Sequence, residues 1–233
     1  MKRVLLISNS TCHGYGYLDH CEEALAAHFA GRSPILFVPF ALADHEAYEA
    51  KARERFAAMG LELRSLHRAE NPAQAVAEAG GVFIGGGNTF RLLKRLHELD
   101  VVTAIRERVA DGLPYAGTSA GSNVACVSIR TTNDMPIVEP PTFDALDLVP
   151  FNINPHYLDP DPTSTHQGET REDRIREFLE ENDRWVVGLR EGAWLRVAGS
   201  TVTLEGIVGA RLFGRGQEPR EIASGESLDF LLS

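Results

Sequence analysis

The sequence predicts an α/β fold in which a doubly wound, mostly parallel sheet is sandwiched between helices. Through the first two-thirds of the chain, short apolar runs alternate with stretches rich in Ala, Glu, Arg and Leu. This alternation indicates parallel β-α-β units with right-handed crossovers. The chain has 233 residues, of which 43% are hydrophobic and 24% charged, a composition typical of globular proteins. We expect one domain over residues 1–233.

The predicted strands are short apolar or alternating runs bounded by turn residues. They are Val4–Ile7, Ile35–Phe40, Leu61–Leu66, Val82–Ile84 and Leu113–Ala116. The predicted helices carry apolar residues at helical spacing. They are Leu18–Ala30, His45–Met59, Ala73–Ala79, Phe90–Leu99 and Val101–Ala110.

The pattern loosens after Ile129, where loop-like segments rich in Thr, Asn and Pro follow. One further helix is predicted over Arg171–Glu180, because Thr170 and Asp173 form a capping signal at its start. Candidate strands separated by glycine-containing turns come next: Trp185–Leu189, Trp194–Val197, Thr201–Leu204 and Ala210–Phe213. We expect these strands to form a small antiparallel extension at the C-terminal end.

The charge balance and the apolar pattern exclude several classes of function. The chain has 23 Lys and Arg against 33 Asp and Glu, a net charge of −10, which disfavours nucleic acid and anionic membranes as partners. No run approaches the ~18 apolar residues of a membrane span, and the apolar run after Met1 is too short for a secretory signal. Cys12, Cys21 and Cys126 form no C-x-x-C pair, which favours reduced thiols in the cytoplasm.

The segment Gly117-Thr118-Ser119-Ala120-Gly121 fits G-x-S-x-G, the pattern of a nucleophile elbow. It follows the predicted strand Leu113–Ala116 and precedes Asn123–Cys126, which we expect to open a helix. The elbow needs glycine on both sides because the serine occupies a sharp turn whose neighbours have no room for side chains. Ser119 is therefore the candidate nucleophile, and the alternative is a tight turn that merely contains a small residue.

A nucleophilic serine needs a base to accept its proton and an acid to orient that base. His156 follows an apolar run on the carboxyl side of a probable strand, the edge where open α/β sheets place their sites. Glu191 follows the candidate strand Trp185–Leu189, just before Gly192. Spacing alone does not select His156 from the eight histidines, and a hydrogen-bonded surface residue is the common alternative.

A second glycine-rich element, Gly85-Gly86-Gly87-Asn88-Thr89-Phe90, is called the glycine loop below. It is not a Walker loop, because no Gly-Lys-Ser/Thr follows, and Phe90 replaces the third glycine of a dinucleotide-binding loop. Backbone N–H groups at the start of a helix bind anions. We expect the glycine loop to face Ser119 and to supply the second donor of an oxyanion hole.

A metal site is only weakly indicated. His156, Asp159, Asp161 and His166 lie close in sequence, but they lack a recognised ligand spacing, and an exposed acidic loop explains them equally well. We predict no metal and no cofactor. A cysteine nucleophile at Cys126 is disfavoured, because that residue falls in an apolar segment expected to be helical.

Together these segments resemble the peptidase E family of serine dipeptidases across nearly the whole chain. The resemblance is carried by Leu5–Thr11, Gly85–Phe90, Ser119–Gly121, Ile129–Val138, Ile153–His156 and Gly168–Glu172. It implies a fold similar to class I glutamine amidotransferases (flavodoxin-like) and a triad of serine, histidine and glutamate in that chain order. Ser119, His156 and Glu191 fit this order, whereas an α/β-hydrolase places its acid before its histidine.

The resemblance also implies an activity: hydrolysis of dipeptides that begin with aspartate, through an acyl-enzyme on Ser119. Its oxyanion hole would be formed by the N–H groups of Gly87 and Ala120. Two positions depart from the family pattern: Thr118, where relatives carry an aromatic residue, and Ser122, where they carry alanine. Neither removes a catalytic atom, but Thr118 adjoins the candidate nucleophile and affects the expected pocket wall.

An aspartyl substrate needs a local cation, since the protein itself carries a net charge of −10. Arg171 and Arg174, near the predicted helix start, are candidates, with solvated helix charges as the alternative. Asn88 is a third candidate substrate-binding residue. The acceptor for the substrate ammonium stays open among Asn88, Asp134 and Glu169.

Two rival functions are left open by the sequence. One is a relative of the same family that cleaves isoaspartyl or cyanophycin-like links. The other is a catalytically silent sensor on an amidotransferase-like scaffold. The partners we expect are small peptides beginning with aspartate, and the chain is expected to be a monomer or a homodimer.

Overall fold

The computed structural model describes residues 1–163, 165 and 167–233. In chain order its strands are Arg3–Ile7 (β1), Ile35–Val38 (β2), Leu63–Ser65 (β3), Gly81–Ile84 (β4), Tyr115–Thr118 (β5), Asn152–Pro155 (β6), Val186–Leu189 (β7), Ala193–Ala198 (β8), Thr201–Gly206 (β9), Ala210–Phe213 (β10) and Arg220–Ile222 (β11). The α-helices are Glu22–His28 (α1), His45–Ala58 (α2), Pro72–Glu78 (α3), Thr89–Glu98 (α4), Val102–Ala110 (α5), Ala120–Asn123 (α6) and Arg171–Glu181 (α7). Among the described residues, no helix combines the length and apolarity needed to cross a bilayer.

The larger sheet has seven strands in the order β3-β2-β4-β5-β1-β8-β9. Its first five strands are mutually parallel, and β8 and β9 extend it antiparallel beside β1. The parallel strands alternate along the chain with helices, as the sequence pattern predicts. The predicted α/β fold with a mostly parallel sheet is confirmed.

Both faces of the larger sheet are covered, because successive side chains of a strand point to opposite faces. Val4 and Leu6 of β1 pack in one core with residues of α3, α4 and α5, whereas Leu5 and Ile7 pack in another with residues of α1 and α2. This alternation is the structural basis of the near-continuous apolar run at the N-terminus.

The smaller sheet has the order β11-β10-β7-β6, with β6 and β7 parallel and the other pairs antiparallel. Val187 and Leu189 of β7 join the core that contains Val4 and Leu6, so this sheet packs against the larger one. On its other side, Ile175 and Leu179 of α7 pack with apolar residues of the sheet.

The predicted antiparallel C-terminal strands form, but they are divided between the two sheets. β8 and β9 complete the larger sheet, whereas β7, β10 and β11 join β6 in the smaller one, where β7 is parallel to β6. β11 has no counterpart in the sequence analysis, because two of its three residues are exposed and it lacks an apolar pattern.

The predicted helix opening at Asn123–Cys126 is wrong. The helix after the elbow is a single turn, Ala120–Asn123. Beyond it, the carbonyls of Val124, Ala125 and Cys126 accept hydrogen bonds from the backbone of residues 146–148. These long-range bonds replace the ones that would have continued the helix.

Candidate active site

Ser119 lies at the turn between β5 and α6, with φ 51° and ψ −109°. This is a backbone conformation that non-glycine residues rarely adopt. Glycine is required on both sides. A Cβ on Gly117 would lie 2.4 Å from the Gly121 backbone, and a Cβ on Gly121 would lie 2.1 Å from the carbonyl oxygen of Ile84. The G-x-S-x-G pattern therefore records close backbone packing around the serine.

The glycine loop lies against this turn, as the sequence analysis expects. A Cβ on Gly86 would lie 3.1 Å from the Cβ of Ser119. Gly87 has φ 137°, and a Cβ there would lie 2.5 Å from the carbonyl oxygen of Ala41. The N–H groups of Gly87 and Ala120 donate to no acceptor within the part of the chain that the structure describes. Both N–H groups therefore have no internal acceptor among the described residues.

His156 connects Ser119 to Glu191. Its Nε2 lies 3.0 Å from the Ser119 hydroxyl oxygen, and its Nδ1 lies 2.6 Å from Oε1 of Glu191. A carboxylate cannot donate, so Nδ1–H donates to Glu191 and Nε2 is left to accept the serine proton. The side chains of His156 and Glu191 are 38% and 48% exposed, which leaves the row open to a ligand from solvent. The structure thus brings the three residues, distant in sequence, into one row, called the catalytic row below.

His156 and Glu191 follow the ends of β6 and β7, the parallel pair in the smaller sheet. His156 itself has φ 55°, a left-handed conformation that the sequence does not indicate. Its backbone N–H donates to the hydroxyl of Ser8, at 2.9 Å. The same hydroxyl donates to the carbonyl oxygen of Leu189, at 2.7 Å, just before the turn that carries Glu191.

Asn9 makes the second link between the sheets. Its Oδ1 accepts a hydrogen bond from Gly192, next to Glu191, at 2.9 Å. Ser8 and Asn9 are 0% and 1% exposed and follow β1, in the middle of the larger sheet. Sequence reasoning missed both. The signal available was a polar pair directly after an apolar strand, at the carboxyl edge of the sheet.

The candidate substrate-binding residues differ in the ion pairs and hydrogen bonds that they already make within the protein. Arg171 is half-buried and has no ion-pair partner within the described residues. Burial, and then the charge of Arg174, lowers the pKa of Arg171, while nearby Asp134 acts in the opposite direction. Arg174 is exposed and lies 3.5 Å from a carboxylate oxygen of Glu169. Of the two arginines, Arg171 is the one whose charge is not paired with a carboxylate among the described residues.

Asn88 is already engaged within the protein. It caps α4, where its Oδ1 accepts from the Arg91 N–H, and its Nδ2 donates to the carbonyl oxygen of Met135. Next to it, Asp134 accepts from the backbone and the hydroxyl of Thr89. These bonds fasten the segment around Asp134 to the glycine loop. One N–H of the Asn88 amide is left for a ligand.

Of the residues that the sequence groups near His156, the described ones do not form a metal cluster. Asp159 forms a two-point ion pair with Arg190, and Asp161 accepts from Thr163. His166 lies outside the described residues.

A different group has ligand atoms close enough for a metal ion: Glu46, Glu49 and His67. Arg68 contacts both of these glutamates, and Arg53 also contacts Glu49. Two guanidinium groups thus already neutralise the carboxylates that a cation would need.

Burial makes the Cys126 thiol a poor nucleophile. The side chain is fully buried, and this burial raises its pKa to about 12. The thiolate is the reactive form, so Cys126 stays protonated and inert near neutral pH. Thr118 is also fully buried, beneath Gly86, and therefore does not form a pocket wall.

Comparisons with known proteins show which proteins the chain is similar to. Peptidase E of Streptomyces coelicolor is 55% identical over 229 residues, covering 98% of this chain and 94% of the relative. A probable alpha-aspartyl dipeptidase of Drosophila melanogaster is 48% identical, covering 99% of this chain and 98% of the relative. The crystal structure of a peptidase from an acI-B1 Actinobacterium has a TM-score of 0.73 at 18% identity, covering 98% of this chain and 96% of that one.

A second solved structure, a putative peptidase E protein from Listeria monocytogenes, has a TM-score of 0.66 at 21% identity. The match covers 89% of this chain and 99% of the Listeria chain. Both solved structures share the fold of this chain. The sequence profile of peptidase family S51 matches residues 4–205. The match spans most of the chain and includes all three residues of the catalytic row, and the chain belongs to peptidase family S51.

Proposed function

We propose that this protein is a serine dipeptidase that hydrolyses Asp-Xaa dipeptides through an acyl-enzyme on Ser119. The observation that carries the proposal is the catalytic row, in which Nε2 of His156 lies 3.0 Å from the Ser119 hydroxyl and Nδ1 lies 2.6 Å from Glu191. Relatives named peptidase E and alpha-aspartyl dipeptidase, at 55% and 48% identity, support the substrate class.

The first half of the reaction forms the acyl-enzyme. His156 takes the proton of the Ser119 hydroxyl while the serine oxygen attacks the scissile carbonyl carbon. The N–H groups of Gly87 and Ala120 hold the resulting oxyanion, each contributing about 3–4 kcal/mol by analogy with comparable donors. His156 then gives its proton to the leaving amine, and the C–N bond breaks.

The second half releases the aspartyl product. Water replaces the leaving amine, gives a proton to His156 and attacks the ester carbon. The tetrahedral intermediate collapses, and the proton returns to Ser119. Throughout, Glu191 accepts from Nδ1–H, which fixes the imidazole tautomer and stabilises the imidazolium that forms twice per cycle.

Arg171 binds the side-chain carboxylate of the substrate aspartate in this proposal. Arg171 is half-buried and has no ion pair among the described residues, whereas Arg174 is partly neutralised by Glu169. Asn88 contributes its one free N–H and holds the glycine loop in place. The acidic candidates for the substrate ammonium are Asp134, which is fastened to the same loop, and Glu169.

We also infer a reducing compartment such as the cytoplasm, because Cys12, Cys21 and Cys126 are all free in the structure.

A dipeptide panel tests the function directly. Asp-Leu, Glu-Leu, Asn-Leu, Ala-Leu and β-linked Asp-Leu are assayed with the parent protein and with Ser119→Ala. We expect hydrolysis of α-linked Asp-Leu above all others, and no measurable turnover in the variant. Preference for the β-linked substrate would assign an isoaspartyl activity instead, and full activity of Ser119→Ala would refute the nucleophile.

A further inference from the structure

A cleft of about 560 Å³ opens beside the glycine loop. Its floor includes Gly86 and Gly87, the residues that touch the Ser119 turn and supply the proposed oxyanion donor. Its walls include Leu42, Tyr17 and Tyr48. The residues proposed to hold the substrate aspartate do not line it.

The position of the cleft defines which part of a dipeptide it would accept. A scissile carbonyl held between Ser119 and the Gly87 N–H has the aspartyl residue on one side and the leaving residue on the other. Arg171 occupies the aspartyl side in the proposed function. The cleft at Gly86 and Gly87 therefore remains for the leaving residue, and its apolar and aromatic walls suit a hydrophobic side chain.

Lys51 is the cation of this cleft. Its ammonium lies 4.5 Å from the centre of the Tyr17 ring and has no ion-pair partner among the residues described. The other charged residue of the cleft is Asp44, whose side chain caps α2 by accepting from the Ala47 N–H.

The reach of a lysine suits the α-carboxylate of a dipeptide. That carboxylate belongs to the residue directly after the scissile bond, and one residue extends a chain by ~3.6 Å at most. Side chains on a helix lean toward its N-terminus. The stem of Lys51 therefore leans along α2 toward Asp44 and Ala47, which also line the cleft.

We propose that this cleft is the subsite for the leaving residue and that Lys51 binds its free α-carboxylate. The inference rests on the proposed function and deepens it, because a cation at this position requires the chain to end one residue after the scissile bond. Lys51 thereby selects dipeptides over longer or amidated peptides. It is a specificity residue and takes no part in the proton transfers.

The experiment compares two substrates that differ only in this carboxylate, Asp-Leu and Asp-Leu-amide. Values of kcat and KM are measured for the parent, Lys51→Met, Lys51→Arg and the control Lys94→Met, which removes a lysine of α4 outside the cleft. The parent should prefer the free acid. Lys51→Met should lower kcat/KM for Asp-Leu by about 10-fold, mainly through KM, since a charge-assisted hydrogen bond is lost at an exposed site.

The other variants and the amidated substrate distinguish a failure of this subsite from a failure of the proposed function. Lys51→Met should hydrolyse Asp-Leu-amide as fast as the parent does, Lys51→Arg should retain the preference for the acid, and Lys94→Met should match the parent. The proposal is overturned if Lys51→Met keeps the full preference, or if the parent shows none. A parent that hydrolyses neither substrate would refute the proposed function, and this subsite with it.

Discussion

The two halves of the catalytic row are built in different ways. Ser119 is positioned by its own neighbours, since close backbone packing at Gly117 and Gly121 forces the turn that carries it. His156 and Glu191 follow the ends of β6 and β7 of the smaller sheet and meet Ser119 only because the two sheets pack together. The nucleophile depends on local sterics, whereas the base and its acid depend on tertiary packing.

Ser8 and Asn9 join these halves. They follow β1 of the larger sheet. Their side chains bond to the backbone of His156 and Leu189, at the ends of β6 and β7 in the smaller sheet, and of Gly192, in the turn between β7 and β8. Each half of the row can therefore be disturbed separately, and so can the link between them.

The largest expected effect comes from removing the charge that orients the base. Glu191→Gln should lower kcat by about 10²- to 10⁴-fold, because a neutral amide neither fixes the Nδ1–H tautomer nor stabilises the imidazolium. Steady-state kinetics with Asp-Leu measure the change. Glu218→Gln, which alters an exposed acid in contact with Arg176, should leave kcat unchanged. A kcat for Glu191→Gln within about twofold of the parent would show that Glu191 does not act on His156.

Breaking the nucleophile half should cost stability as well as activity. In Gly121→Ala the new methyl group would lie 2.1 Å from the Ile84 carbonyl oxygen, so β4 or the elbow must shift. We expect the free energy of unfolding to fall by about 3 kcal/mol or more, measured by urea denaturation. Gly60→Ala, a position with positive φ and open space, should cost only about 1 kcal/mol. Equal losses would contradict the steric account of the elbow.

Removing the Ser8 hydroxyl, which links the two halves of the catalytic row, should lower kcat by less than Glu191→Gln does. Ser8→Ala leaves the His156 backbone N–H and the Leu189 carbonyl without their shared partner. We expect kcat to fall by about 10- to 100-fold with KM nearly unchanged, because the imidazole loses its alignment while the substrate pockets stay intact.

Ser122→Ala is the matched control for this variant. Ser122 is equally buried, and its hydroxyl lies 2.7 Å from the carbonyl oxygens of Ile7 and Gly117, but it contacts neither His156 nor the Glu191 turn. It should lose stability and keep kcat. If Ser8→Ala likewise loses stability but keeps the kcat of the parent, Ser8 is structural and does not position the base.

The smallest expected effect concerns the acid sensitivity of the larger sheet. His28 of α1 is buried, its Nε2 lies 3.0 Å from the Tyr115 carbonyl oxygen of β5, and burial lowers its pKa to about 3. Between the ordinary histidine pKa and this value the unfolded chain binds a proton that the folded protein does not, so stability falls as the pH falls.

This single group should remove about 1 kcal/mol of unfolding free energy between pH 6.5 and pH 5.5. Urea denaturation at the two pH values measures it. His28→Gln retains an N–H donor for the Tyr115 carbonyl but does not titrate, and its loss over the same interval should be smaller by that amount. An identical pH dependence in the parent and in His28→Gln would contradict the role given to burial.

The sequence predicted most of the elements that have strong local signals. β10 and the start of α2 have the expected bounds, and Thr170 and Asp173 form the predicted capping box at the start of α7. The elbow was predictable because a strand precedes the serine and a glycine lies two residues away on each side of it. The division of the C-terminal strands between two sheets was not, since pairing partners are chosen by long-range packing.

The site was predictable to a different degree. Positions after expected strands made His156 and Glu191 candidates, and the family resemblance selected them. No local pattern encodes the left-handed backbone at His156 or the long-range bonds of Ser8 and Asn9. Likewise, Lys51 is an ordinary helix residue in the sequence, and its place in the cleft follows from the packing of α2 beside the glycine loop.

The most direct test of the proposed nucleophile and base is covalent labelling with a fluorophosphonate, followed by peptide mapping by mass spectrometry. The catalytic row predicts one adduct, on the Ser119 hydroxyl, and labelling at least about 100-fold slower in His156→Asn, because the serine then lacks its base. An adduct on another residue, or equal labelling rates in the parent and in His156→Asn, would contradict the account.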